Sequence, residues 1–431
     1  MMPISRRRLL KTLGGAAVFA LPACQTPWRN AAKARVVIVG GGFGGATAAK
    51  TLRWLDDNLH VTLIEPKTAY ITCPGSNWLF AGLTDLSRLT VDYRALQERY
   101  GIEILSDRVS AIDRIRRKLK LLSGQTVAYD RLILAPGISL RWDAIEGYGL
   151  ADAETFPHAW EAGVQTRLLA NQLRAMPDGG LVLIAAPPDP YRCPPGPYER
   201  ASMMAYWLKQ HKPRAKLIIL DPKRSFSKQA LFEVGWAEHY GYGTSNSLIE
   251  WHCLADNPVT QLDKSSKTLI TDFGDRFRGD VLNIIPPQTA GDLAGHADLT
   301  GSDGWCLVKP RTGQSIHDEF IHVIGDAAQY APMPKSAFAA NSEAKACAIA
   351  VVALLNELSV DEPSWMNTCY SLITPKHGIS IAGVYRLDVD GAIEAVKGAG
   401  GVSPGLSTAF AEREAGYALS AYQALVSNTF A

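Results

Sequence analysis

A glycine-rich turn at residues 40–45 constrains this chain more than any other feature. The run Val36-Val37-Ile38-Val39-Gly40-Gly41-Gly42-Phe43-Gly44-Gly45-Ala46 reads as a buried strand, a turn and a helix start. Gly40, Gly42 and Gly45 fit the G-x-G-x-x-G spacing. The first glycine makes the tight turn, the second lets the backbone approach a pyrophosphate, and the third lets helix and strand pack closely. A second apolar strand, Val61 to Ile64, ends in Glu65, about twenty residues on, where a carboxylate would bind the ribose 2′-OH. Together these predict an α/β fold holding a dinucleotide.

A second such half begins near Gly179 but lacks its phosphate loop. The strand Leu181 to Ala186 leads into Pro187, Pro188 and Pro190, and Lys216 to Asp221 (KLIILD) repeats the strand-plus-acid pattern. Prolines remove the N–H groups that would hold a diphosphate. The expectation is a flavoprotein with FAD in the first half and no nicotinamide site in the second.

The remaining chain fits that plan. A strand pair near Ile102–Val109 and Lys118–Leu122 suggests a small β-meander, and Tyr129 to Gly137 suggests a chain-reversal strand. The chain returns to the first half at Phe320 to Asp326. There the strand ends in Gly325-Asp326, whose carboxylate suits a ribityl hydroxyl, and Lys335 joins these two as a candidate cofactor-binding residue. An Ala-rich helix, Ala337 to Leu358, points its N-terminal dipole at the flavin. Alternation at Tyr370–Ile373 and Ile379–Arg386 predicts an antiparallel C-terminal unit. The fold expected is α/β, with two Rossmann-like dinucleotide-binding domains arranged as in glutathione reductase and a small α+β C-terminal domain. Residues 35–154 and 280–358 would form the FAD domain, 155–279 the second domain and 359–431 the third.

Ser5-Arg6-Arg7-Arg8-Leu9-Leu10-Lys11 matches a twin-arginine export signal. The apolar run after it, Leu13 to Leu21, is too short to span a bilayer. Residues 1–34 therefore read as a signal that sends a folded protein to the periplasm. Cleavage after Ala32-Lys33-Ala34 is favoured over lipoprotein anchoring at Cys24. Of 431 residues 47% are hydrophobic and the net charge is +2, so the chain can bury several cores and nothing points to nucleic acid. The seven cysteines show no metal-ligand spacing and no C-x-x-C-H haem site, so neither a metal site nor a haem on this chain is expected.

Four segments resemble one family closely: Tyr70-Ile71-Thr72-Cys73-Pro74-Gly75-Ser76-Asn77, Arg192-Cys193-Pro194-Pro195-Gly196-Pro197-Tyr198-Glu199-Arg200-Ala201, Met333-Pro334-Lys335-Ser336 and Asn367-Thr368-Cys369-Tyr370-Ser371. They are similar to the flavoprotein subunit of flavocytochrome c sulfide dehydrogenase, within the disulfide-oxidoreductase flavoproteins. That resemblance implies FAD joined through its 8α-methyl to Cys73, although Pro74-Gly75 replaces the bulkier aromatic usual there. It implies a redox disulfide of Cys193 and Cys369, with Cys347 the competing partner for Cys193. It also implies oxidation of hydrosulfide to sulfur or polysulfide, and electron transfer to a c-type cytochrome subunit that carries the haem of a heterodimer. Glu199 is a candidate proton carrier or a salt-bridged residue; His158 fits packing, and Cys253 and Cys306 carry no assigned chemistry. Two other readings stand beside this one: a sulfide:quinone oxidoreductase, which the polar stretch Ala409–Ala431 does not suit as a membrane anchor, and a thiol-maintaining partner of a sulfur-oxidation complex.

Overall fold

Strands such as VVIV and LIIL, apolar at successive positions, must be covered on both faces, which favours parallel sheets with helical crossovers. The computed structural model describes residues 33–404 and 408–431. The twin-arginine motif, its apolar run and Cys24 lie outside them.

The first sheet has six strands in the order Gln314–Ser315, Asp318–Val323, Arg131–Leu134, Arg35–Val39, His60–Ile64, Glu103–Leu105. All but the first run parallel. The helices Phe43–Leu55 and Ala337–Leu355 share one buried cluster in which Ala46, Ala48 and Ala49 meet Ala340, Ala344 and Ala348. Side chains this small let the two backbones approach closely. Ala337–Leu355 is also the one described helix long and apolar enough to cross a membrane.

The second sheet runs Ile249–Cys253, Lys216–Asp221, Leu181–Ala185, Val281–Ile284, all parallel. Its last strand lies beyond residue 279, so the second half closes one strand later than expected. The return strand could not be told from the sequence, because VLNI is short and apolar enough to suit either sheet. The anticipated meander also shifts. Glu103–Leu105 joins the first sheet, and the three antiparallel strands are Val109–Asp113, Lys118–Leu121 and Thr126–Ala128.

At the crossing between halves, Ile138–Leu140 pairs antiparallel with Gln288–Ala290. Beyond Pro363 a hairpin of Ser364–Thr374 and His377–Leu387 forms. The helix Thr408–Phe430 then returns to the first half. Phe430 sits 5.4 Å from the Phe43 ring and 5.7 Å from Tyr70. Asn341 Nδ2 donates to Thr47 Oγ1 at 2.7 Å and to Thr429 Oγ1 at 3.1 Å. What read only as a polar terminal stretch is a docked helix.

Candidate active site

A cavity of about 630 Å³ opens where strands of the first sheet end and the second half, the hairpin and the C-terminal helix meet. That is where open α/β sheets bind ligands. Gly40, Gly42, Glu65, Cys73, Cys193, Glu199, Gly325, Asp326 and Cys369 all line it. From the C-terminal helix, Ala418, Ala421, Tyr422 and Leu425 close one side, with Tyr422 Oη and Thr72 Oγ1 2.8 Å apart.

Gly40 has φ +101°, and a Cβ there would lie 2.2 Å from the Ala135 carbonyl oxygen. A Cβ on Gly45 would lie 1.9 Å from the Gly40 carbonyl oxygen. Both positions therefore require glycine for the turn and for close helix–strand packing. The helix Phe43–Leu55 begins at Gly42 without a side-chain cap, leaving N–H groups for an anion. Glu65 accepts from the Gly41 N–H at 2.8 Å and the Lys67 N–H at 3.0 Å, which fixes the carboxylate at the cavity edge.

Asp326 follows Gly325 (φ +72°) in a 3₁₀ turn, Gly325–Ala327. Its Oδ1 is buried and has no hydrogen-bond partner. A buried carboxylate oxygen without a donor is costly. Burial raises its pKa, with Arg192 and Lys335 opposing. The orphaned oxygen, the glycine cradle and the uncapped helix fit an FAD: Gly40, Gly42 and Glu65 for the dinucleotide, Asp326 for a ribityl hydroxyl.

The six described cysteines are free thiols, and three of them meet in this cavity. Cys73 Sγ lies 3.9 Å from the Trp160 carbonyl oxygen. Cys193 is held at φ +60°, its N–H donating to the Lys335 carbonyl at 2.8 Å. Burial pushes its thiol up, with Cys369 and Glu199 adding to the effect. Cys369 lies on the first hairpin strand, 3.7 Å from the Asn367 amide. Burial raises its thiol too, opposed by Lys228 and hydrogen bonds from Asn367 and Ser336. Cys347 does not compete: it is buried in the helix cluster of the first half, away from the cavity.

Cationic groups the sequence reading did not single out surround these sulfurs. Lys228 is buried; its Nζ donates to the Cys369 carbonyl at 3.1 Å and to Ser371 Oγ at 2.8 Å. Burial lowers its pKa to about 8, against the pull of Cys369, Glu199 and Cys193. Arg200, 2% exposed, donates to Asn77 Oδ1, Asn283 Oδ1 and the carbonyls of His158 and Ala159. Burial lowers it to about 10 while Cys193 and Cys73 oppose. Arg192 donates to the Trp160 carbonyl, and although burial disfavours its charge, Cys73 and Asp326 raise its pKa. Arg200 stood within the C-P-P-G-P-Y-E-R run; nothing in the sequence around Lys228 marked it.

Two expected roles change. Glu199 accepts from Asn77 Nδ2 at 3.0 Å, Trp78 Nε1 at 3.2 Å and the Leu372 N–H at 3.0 Å. Both oxygens are engaged, so the carboxylate ties the hairpin to the loop after Cys73 rather than standing free to carry protons. Lys335 does not line the cavity. Its Nζ donates to the Ala328 carbonyl at 2.7 Å and lies 4.0 Å from the Trp305 ring centroid, so it serves Cys193 through its backbone. His158 packs as expected: Nδ1 accepts from the Trp160 N–H at 2.9 Å, and burial lowers its pKa to about 4.

In the second half, Asp221 stands where a ribose-binding acid would. It is fully buried, accepting from Tyr198 Oη at 2.5 Å and Trp251 Nε1 at 2.9 Å and pairing with Lys223 Nζ at 2.6 Å. Lys223 also donates to the Pro187 carbonyl at 2.6 Å. Asp221 and Lys223 are thus satisfied by partners within the protein.

Three family models match in succession. Residues 34–167 match the pyridine nucleotide-disulphide oxidoreductases. Residues 166–286 match the central part of the sulfide dehydrogenase [flavocytochrome c] flavoprotein chain, and residues 361–430 its flavin-binding part. The flavocytochrome c sulfide dehydrogenase flavoprotein chain of Chlorobaculum thiosulfatiphilum is 70% identical over 43 residues, 10% of this chain and 90% of that one. The mitochondrial sulfide:quinone oxidoreductase of Mus musculus is 26% identical over 302 residues, 67% of this chain and 64% of that one. The fold is shared with the solved sulfide:quinone oxidoreductase of Aquifex aeolicus, at a TM-score of 0.69 and 19% identity, covering 92% of each chain. With the glycine cradle, the proline-rich cysteine loop and the cysteine-bearing hairpin converging on one cavity, these matches establish that the chain belongs to the family of flavocytochrome c sulfide dehydrogenase flavoprotein chains.

Proposed function

We propose that this protein is an exported FAD enzyme that oxidises hydrosulfide and passes electrons to a c-type cytochrome subunit. The observation that carries this reading is the convergence of Cys73, Cys193 and Cys369 with Glu65 and Asp326 on one cavity. Cys73 anchors the flavin covalently, which retains it in the periplasm, where lost FAD is not replaced. When bound, the flavin supplies a two-electron acceptor able to release electrons singly.

Cys193 and Cys369, thiols in the structure, form a redox pair that is oxidised to a disulfide in the resting enzyme. Hydrosulfide, the anion favoured by Arg192, Arg200 and Lys228, attacks Cys193 Sγ. The S–S bond to Cys369 breaks as the new one forms, giving a Cys193 persulfide and a Cys369 thiolate. Cys369 is the leaving sulfur because the Lys228 ammonium, bonded to its carbonyl, offsets the charge that burial disfavours. A second hydrosulfide takes the outer sulfur as a disulfane anion and leaves the dithiol for reoxidation.

The test is an anaerobic sulfide titration of the purified protein, following the flavin band with and without cytochrome c. Sulfide should bleach the flavin and cytochrome c should restore it. Cys193→Ser and Cys369→Ser should abolish bleaching while retaining flavin. Undiminished sulfide turnover in both variants would make the pair structural and the mechanism wrong.

A further inference from the structure

The helix Gln229–Tyr240 and the turn of the C-terminal hairpin meet away from the cysteine cavity, beside a solvent-open groove of about 980 Å³. His239 Nε2 and His377 Nδ1 stand 2.8 Å apart. Glu238 places one carboxylate oxygen 3.7 Å from His239 Nε2 and the other 3.8 Å from His377 Nδ1. All three ligand atoms lie within 4.8 Å of one another. The two histidines are 138 residues apart, so no spacing motif announced them, and the sequence expectation of no metal rested on the cysteines.

We propose that Glu238, His239 and His377 form a binding site for a divalent first-row transition ion, with zinc as the probe. Two imidazoles and a carboxylate are a donor set zinc accepts, with a fourth position left to water. Tetrahedral Zn–N bonds of about 2.0–2.1 Å place two nitrogens roughly 3.3 Å apart, so about half an ångström of ring movement admits the ion. A bare imidazole pair shares one proton and needs no acid; here a carboxylate reaches both rings. The imidazoles are also suited to the role by being largely covered, with side chains 25% and 16% exposed against 52% for Glu238.

The ion would staple helix to hairpin at the end opposite Lys228. At the same end of the helix, next to His239, Tyr240 Oη donates to the Ile373 carbonyl at 2.6 Å and already joins helix to hairpin. Metal binding would therefore stiffen the strand that carries Cys369 without entering the reaction.

Chelator-treated, flavin-loaded protein should be titrated with zinc chloride by calorimetry and with cobalt(II) by visible spectroscopy. One equivalent should bind, and zinc should raise Tm. His239→Ala and His377→Ala should each weaken binding about tenfold or more and remove the zinc-induced rise in Tm. Glu238→Gln, at an exposed position, gives a second variant that keeps the fold and should also weaken binding. Unchanged flavin absorption and metal-free Tm in the variants establish that they are folded. Cobalt should give tetrahedral d–d bands without a thiolate charge-transfer band. No binding, wild-type affinity in both histidine variants, or a thiolate signature from cysteines elsewhere would overturn the proposal.

Discussion

At the residue scale, Lys228 is the most exposed to test, because one group holds Cys369 in place and charges its surroundings. Lys228→Met should slow sulfide-dependent flavin reduction by roughly one to two orders of magnitude, with Lys228→Arg restoring part of it. Hydrosulfide becomes more abundant as pH rises, so a fall in rate above about pH 8 reports loss of the Lys228 ammonium. Stopped-flow pH profiles should show that limb in the wild type and lose it in Lys228→Met. The sign for stability is separate. With the folded pKa lowered from 10.5 to about 8, the unfolded chain binds the extra proton between those values, so this group's contribution to stability rises with pH across that window. Cys73 gives a second prediction: acid-precipitated wild type should stay yellow, whereas Cys73→Ser should release its flavin into the supernatant.

At the scale of elements, the helix Ala337–Leu355 supports the flavin turn from beneath. Glu343 Oε2 accepts from the Gly325 N–H at 2.6 Å, and burial raises this carboxyl to about 8. An acid whose folded pKa is raised contributes most below its unfolded value, and that contribution fades as pH climbs from 4.5 to about 8. Glu343→Gln keeps an acceptor for Gly325 and cannot ionise. Urea midpoints should match wild type near pH 4.5 and exceed it at about pH 9. The glycine turn gives the opposite case. Gly45→Ala forces a methyl against the Gly40 carbonyl, so it should cost about 1–3 kcal/mol and lower the flavin content of the purified protein.

At the scale of the whole molecule, the two halves have the same architecture and different uses. The first leaves Asp326 Oδ1 unpaired and a helix uncapped at the cavity; the second spends Asp221 on Tyr198, Trp251 and Lys223. NADH and NADPH at micromolar concentrations should therefore leave the flavin oxidised over minutes under anaerobic conditions. Rapid bleaching would show that the second half binds nicotinamide despite its prolines.

The sequence by itself determined what depends on local pattern. Consecutive apolar residues specified buried strands and glycine spacing specified the turn at Gly40, because each acts through backbone geometry within a few residues. Tertiary structure decided everything that depends on which distant groups share a space. It set Cys369 beside Lys228, committed Glu199 to three donors, turned Lys335 away from the cavity and buried Cys347 elsewhere. It also laid the C-terminal helix over the flavin-binding side. Burial, charge and hydrogen bonding at these sites are sums over neighbours from remote segments, and no spacing along the chain encodes such sums.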